Sequence, residues 1–153
     1  MGPSLRDLPY VDEHAVTVAA APEPTWAALL STIDSSLSSG PAARFAALLG
    51  CADREASGPR PLQEGSAVPG FHVAAAAPAE ELALTGRHRF SDYALLFRLD
   101  RLAAGETRLR AETRAEFPGP TGRAYRALVI GSRGHVLATR RILNAVRRRA
   151  ERA

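Results

Sequence analysis

Lysine is absent from the 153 residues of this chain, and all 20 basic side chains are arginine. Alanine is abundant beside them; GC-rich coding produces both biases, so the missing lysines carry no functional message. Cysteine occurs once, at Cys51, which excludes an internal disulfide and fits a reducing compartment. No apolar run reaches the length of a membrane span, and Asp12, Glu13 and His14 interrupt the region where a signal peptide needs its apolar centre. The expected location is therefore the cytoplasm. No CxxC, HExxH, P-loop or GxGxxG pattern is present, so neither a metal nor a cofactor is expected. Histidines on separate elements are not a ligand signature.

What is present describes a globular chain, 46% hydrophobic and 24% charged. At this length about 70% of the unfolded surface can be buried. The expected organisation is a flexible lead-in over 1–10 followed by one domain over 11–150. The net charge of +4 hides an asymmetry: residues 1–117 carry 11 Arg against 15 Asp and Glu, a net of −4. Residues 118–153 carry 9 Arg against Glu151 alone, a net of +8. Arg140, Arg141, Arg147, Arg148, Arg149 and Arg152 lie toward the C-terminal end of a predicted helix, where positive charge suits the dipole. No aromatics interleave with them and no reading motif accompanies them, so a nucleic-acid partner is not expected.

That helix is the longest element the sequence predicts. From Gly122 to Arg152 there is no proline, and Tyr125, Leu128, Val129, Ser132, Val136, Leu143 and Val146 recur at helical spacing. Two interior glycines, Gly131 and Gly134, each cost about 1 kcal/mol against alanine. Three readings account for them: close packing on a sheet, room for a ligand, or a kink. Ser132 and His135 are three residues apart and within reach of each other. The run Gly131–His135 lies in a helix rather than after a strand, so it is no nucleophile elbow, and no acidic orienter is near in sequence.

Earlier in the chain, residues 12–20 alternate, with His14, Val16 and Val18 on one side. Ala21-Pro22-Glu23-Pro24-Thr25 then opens a helix, with Pro24 tolerated in its first turn and Trp26, Leu29, Leu30 and Ile33 on one face. A second runs from Pro41 to Leu49, predicted to bury Phe45, Leu48 and Leu49 and to stop at Gly50. Residues 51–66 read as a polar loop, long enough to be mobile or to act as a lid. Three or four strands complete the middle. The predicted inward residues are Phe71 and Val73; Leu82, Leu84, Gly86, His88 and Phe90; Tyr93, Leu95, Phe97 and Leu99; and Leu109, Ala111, Thr113, Ala115 and Phe117. Ser91-Asp92 and Ala103-Ala104-Gly105 are the predicted turns. Clean alternation means an antiparallel sheet with one charged, wet face and one face covered by the last helix.

The order strand, two short helices, antiparallel strands, long C-terminal helix resembles the helix-grip fold of the START-like (SRPBCC) superfamily, which includes polyketide cyclases and lipid- and hormone-binding proteins. "VDEHAVTVAAAPEPTWAALL" looks like that superfamily's usual opening, a strand followed by Ala-Pro-x-x-x-Trp. "FPGPTGRAYRALVIGSRGHVL" is similar to the start of the last helix in an uncharacterised bacterial group within it, through Phe117, Gly122, Arg123, Tyr125 and His135. The resemblance spans about residues 11–150. It implies an α+β fold in which a curved sheet wraps a long C-terminal helix, with a cavity between them.

The inward polar residues His14, His88, Tyr93, Thr113, Tyr125 and His135 each need a partner, whether protein, water or ligand. With Trp26, Phe71, Phe90, Leu95, Phe97, Leu109 and the space at Gly131, they describe an apolar pocket with a few polar groups. A small, largely apolar molecule is the expected partner. An alternative is a cyclase- or dehydratase-type enzyme without a cofactor, using His88 and Tyr93 for acid–base chemistry. A third is an interaction module built on the arginine-rich helix. Arg123 and Arg126 fall in the predicted first turns of that helix, where they either pair with Glu116 or Asp92 or hold an anion.

Overall fold

The computed structural model describes residues 5–153. A 3-10 turn over Leu5–Asp7 leads into β1 (Tyr10–Val18), followed by α1 (Pro22–Leu37), α2 (Gly40–Leu49), β2 (Ala67–Val68) and β3 (Phe71–Ala77). Next come β4 (Glu81–His88), β5 (Ser91–Arg101), β6 (Thr107–Glu116), α3 (Gly119–Arg126), a π-helical turn (Ala127–Gly131) and α4 (Gly134–Arg152). The strands form one antiparallel sheet in the order β1-β6-β5-β4-β3-β2. This is the helix-grip arrangement: a six-stranded antiparallel sheet with a long C-terminal helix across it. Within the lead-in expected over 1–10, residues 1–4 lie outside the described residues. Leu8 is buried, and Pro9 accepts a hydrogen bond from the Ala115 amide. No helix among the described residues is long and apolar enough to cross a membrane.

Local chemistry sets the boundaries. Ser39 caps α2 by accepting from the Ala42 amide at 3.2 Å, and Gly50 closes it at φ 71°, the left-handed conformation that favours glycine. The β4–β5 turn is Arg89-Phe90, because His88 pairs with Ser91; the expected Ser91-Asp92 turn is two residues late. Phe90 therefore sits in a turn, not on β4. The loop at Gly105 (φ 73°) joins β5 to β6 as expected.

The sheet has two different faces. Outward, Arg98 reaches Glu112 at 2.7 Å and Glu81 at 3.6 Å, Arg114 reaches Glu112 at 3.0 Å, and Arg110 spans Asp100 and Glu13. Burial alone would push the Glu112 carboxyl up, but the Arg98 hydrogen bond and the Arg114 charge outweigh it and hold it below the usual carboxylate range. Inward, Val18, Leu82, Leu84, Phe97, Leu99 and Leu109 meet Leu29, Leu30 and Ile33 of α1 and Leu143, Val146 and Ala150 of α4. That core fills only one half of the space between sheet and helices.

Three expectations give way to the structure. The stretch 122–152 is not one helix: Ser132 bonds back to the Leu128 carbonyl, and Arg133 takes a left-handed φ of 63°, which ends the π turn and starts α4 in a new direction. The stretch is kinked where these glycines, Gly131 and Gly134, lie, and close packing does not account for Gly131, since a Cβ there would meet nothing within 4 Å. Second, α2 buries Ala46, and leaves Phe45 and Leu48 exposed. Third, the loop over 51–66 is tied down. Arg60 bonds Asp34 of α1 at 3.0 Å and the carbonyls of Ser57 and Ala67 at 2.9 Å each, and Leu62 is buried in the core.

Candidate functional site

Where the core ends, a cavity of about 660 Å³ begins. It lies over the His88/Ser91 end of β4–β5 and the Thr113–Phe117 end of β6. α2 forms one side, and α3, the π turn and the first half of α4 form the roof. Its walls are mostly apolar: Leu37, Phe45, Leu49, Phe71, Leu95, Val129, Ile130 and Ile142 among them. Exposed Phe45 and Leu128 line it from opposite sides. A second, more open depression of about 540 Å³ involves Glu81, Arg98, Asp100 and Arg110, whose charges already pair with one another.

The break in the last helix makes the roof. α3 turns back over the end of β6, and Gly122 permits this because a Cβ there would come 2.7 Å from the Phe117 carbonyl carbon. Tyr125 then stacks on Phe90 (ring centroids 5.3 Å) and meets His88 edge-on at 4.8 Å. Arg126 lies over the Phe117 ring at 5.4 Å. Because α3 begins at Gly119, Arg123 and Arg126 fall in its last turn, not its first. The helix N-terminus on which the anion alternative rested is therefore not at these two residues, and of the expected ion-pair partners Asp92 pairs with Arg87.

At the His88 end, Tyr93 donates to the Gly70 carbonyl at 2.5 Å and lies 3.7 Å from Cys51 Sγ. Burial, then the neighbouring Cys51, push the phenol well above its ordinary pKa. The inward side of Gly86 is filled by the Tyr93 ring, which a Cβ there would overlap. His88 Nδ1 accepts the Phe90 amide at 3.1 Å, and burial, only partly offset by Asp92, lowers the ring's pKa. His88 and Tyr93 are ring neighbours at 5.2 Å, each already engaged with the backbone rather than with the other.

The opposite end holds a group that no sequence pattern assembled. Asp12 Oδ1 is 3.1 Å from His135 Nε2, and its Oδ2 is 3.1 Å from His14 Nε2. Asp12 is also the cross-strand partner of Thr113. Thr113 is 8% exposed, lines the cavity, and its hydroxyl has no hydrogen-bond partner. Asp12 shares the inward parity of His14 and Val16, so alternation alone could have found it. Its partnership with His135, 123 residues away, is a tertiary fact. Another histidine, His72, lies between Asp53 (3.0 Å) and Thr85 on the exposed side of β3 and β4. The Thr85 hydroxyl is 2.8 Å from Nε2 but also 3.5 Å from Nδ1, so it sits well off the Nε2 lone pair and forms no relay.

Of the residues proposed for the pocket, Phe71, His88, Tyr93, Leu95, Thr113, Tyr125 and His135 line the cavity. Phe97 and Leu109 are solid core, Trp26 packs against that core, Phe90 supports the roof from behind, and Gly131 faces open space. Among the described residues no group of three or more His, Cys, Asp and Glu is placed to hold a metal ion.

No protein-family model matches the chain, and no curated protein is similar to it in sequence. Its fold is nonetheless shared with solved structures. The Zhui aromatase/cyclase from Streptomyces sp. R1128 superposes with a TM-score of 0.59 at 18% identity, covering 95% of this chain and 94% of that one. A protein from Thermobifida fusca gives 0.55 at 15% identity, covering 92% of each chain. Protein CV1439 from Chromobacterium violaceum gives 0.53 at 14%, covering 92% of this chain and 96% of that one. These likenesses show a shared helix-grip fold and go no further than the fold.

Proposed function

We propose that residues 11–150 form one START-like domain that binds a small, largely apolar molecule between the sheet and the C-terminal helical stretch. The observation that carries this reading is the cavity itself: about 660 Å³, apolar over most of its wall, with a few polar groups at its two ends. That is the volume and character of a small-molecule site. Packing forces do not favour an empty apolar space of this size, because its lining forgoes dispersion contacts. The test is native mass spectrometry of freshly purified protein for a retained ligand, with titration of a hydrophobic fluorescent dye. Stoichiometric binding is expected. Ala138→Trp, which places a large ring on the cavity wall, should weaken dye affinity at least tenfold with the fold retained. Failure to bind any apolar probe would sink the reading.

The second reading is a cofactor-independent enzyme of the cyclase or dehydratase type. A specific observation favours it: an imidazole oriented by a carboxylate, His135 with Asp12, on the wall of an apolar cavity. The pair first expected to do this work, His88 and Tyr93, is less suited, since the phenol is bonded to Gly70 and shifted away from neutral pH. On this reading His135→Phe abolishes turnover while dye binding persists. An interaction module built on the C-terminal arginines ranks third.

A further inference from the structure

The histidines at the two ends of the cavity are fixed in opposite hydrogen-bonding senses. His88 Nδ1 accepts from the Phe90 amide at 3.1 Å. An amide N–H only donates, so the ring is neutral with its proton on Nε2, and what His88 has left for a ligand is a donor. At the other end, His135 Nε2 faces a carboxylate oxygen of Asp12 at 3.1 Å. A carboxylate accepts, so this nitrogen carries the proton, and in the neutral ring the remaining Nδ1 is an acceptor. Asp12 is held from its second oxygen by His14, which fixes the arrangement from both sides. Thr113 stands beside Asp12 across the β1–β6 ladder, with a buried hydroxyl that has no partner. Such groups are rare in folded proteins and mark a place where a partner is missing.

We propose that the cavity selects an elongated, uncharged molecule with a hydrogen-bond acceptor, such as a ketone carbonyl, at the His88 end and a hydroxyl at the His135 end. The proposal rests on the ligand-binding reading above and names the class of ligand for that site: a hydroxy-ketone or phenolic ketone on an apolar frame. The carbonyl takes the His88 Nε2 proton. The hydroxyl donates to His135 Nδ1 and, after a turn about χ1 of Thr113, accepts from its Oγ1. Strands β4 and β1, which carry His88 and Asp12, are three strand spacings apart, about 14 Å across the sheet, so the two polar groups belong at opposite ends of the molecule. A carboxylate is the wrong group for the His135 end, because Asp12 stands directly behind that ring.

The test uses the full chain and a rigid series: 6-acetyl-2-naphthol, its methyl ether, 6-ethyl-2-naphthol, 2-ethylnaphthalene and 6-hydroxy-2-naphthoate, with Kd measured by calorimetry. The hydroxy-ketone should bind tightest. Capping the hydroxyl or replacing the ketone should each weaken binding roughly 3- to 10-fold, the worth of one hydrogen bond. His135→Phe should erase the difference between the naphthol and its methyl ether and keep the preference for the ketone; His88→Phe should do the reverse. Asp12→Asn, whose amide can turn the His135 ring over, should weaken the hydroxyl preference alone. Equal affinity for the four uncharged probes overturns the inference and leaves the apolar-ligand reading standing. Tightest binding of the naphthoate overturns the requirement for an uncharged molecule, in favour of an anion at the His88 end. No binding of any probe or of the dye overturns both readings, and the wild-type series alone separates these three outcomes without a variant.

Discussion

The two halves of the C-terminal helical stretch are built from the same alanines, arginines and aliphatic residues, yet one builds core and the other leaves a cavity. In the second half of α4, Leu143, Val146 and Ala150 are buried, and α4 packs against α1 and β1. In the stretch from Gly119 to Ala138, only Gly122 is fully buried, and Leu128 is 70% exposed. The difference lies in the break at Ser132-Arg133, which lifts the first half off the sheet and lets it roof the space over Tyr93, Thr113 and Ala115. A helix-grip sheet is thus not gripped evenly: the solid core belongs to one end, and the cavity belongs to the other.

The sharpest test of that division compares two leucines. Leu143→Ala removes a side chain from the solid half and should cost about 2–5 kcal/mol. At about 2–4 °C per kcal/mol for a chain of this size, thermal unfolding should move down markedly. Leu128→Ala, on the roof, should stay within about 0.5 kcal/mol. Comparable losses at the two positions would show that the roof is part of the core.

A smaller effect is expected from removing residues 147–153. The sequence suggests a charged overhang that the fold can spare. In the structure these turns are attached: Ala150 is buried, Glu151 accepts from the Ala19 amide at 3.0 Å, and Arg149 reaches Thr32 at 3.4 Å. Losing two hydrogen bonds at about 1 kcal/mol each should lower the melting temperature by roughly 4–8 °C and leave dye affinity unchanged. An unchanged melting temperature would return this segment to the status of an overhang.

How far the sequence could be read follows the same division. Period-two alternation in β4, β5 and β6 identified the covered face, because a strand's side chains alternate whatever lies above them. It could not say how far along each strand the covering helices stay in contact. That is why Phe97 and Leu109, correctly assigned to the inner face, belong to core, whereas Leu95 and Thr113 line the cavity. Helical periodicity found the apolar stripe through Leu143 and Val146. The break, however, depends on the Ser132 side chain bonding back to a carbonyl and on Arg133 adopting a left-handed conformation, and neither alters the pattern of apolar residues. The Asp12–His135 contact joins the first strand to the last helix, beyond the reach of any local pattern.

The pH dependence of stability separates the two ends of the cavity further. Burial lowers the His88 pKa below its ordinary value of 6.5, so the unfolded chain takes up the proton first. This contribution is intact above pH 6.5 and is lost as pH falls through 6.5 toward the folded value. His88→Phe should therefore flatten the stability change between about pH 7.5 and the upper edge of carboxylate titration, where Glu112, held below 4.5 by Arg98 and Arg114, begins its own loss. A variant with the same acid limb as the wild type would show that His88 is not desolvated by the roof.

The smallest effect is expected at Gly131, and it is the most direct probe of the roof. A Cβ there meets nothing within 4 Å, and the residue is not among those with positive φ. Alanine should fit without strain and stabilise by about 0.4–1 kcal/mol through the unfolded chain, a rise of a few degrees at most. Dye affinity should not change, because Gly131 lies outside the cavity wall. Ala138 provides the contrast, a few residues further along the same stretch and on the wall: adding bulk at 138 should close the cavity, and adding a methyl at 131 should leave it open. A loss of binding or of stability in Gly131→Ala would mean that the π turn moves inward when a ligand is taken up, so that its open face is only one of two positions.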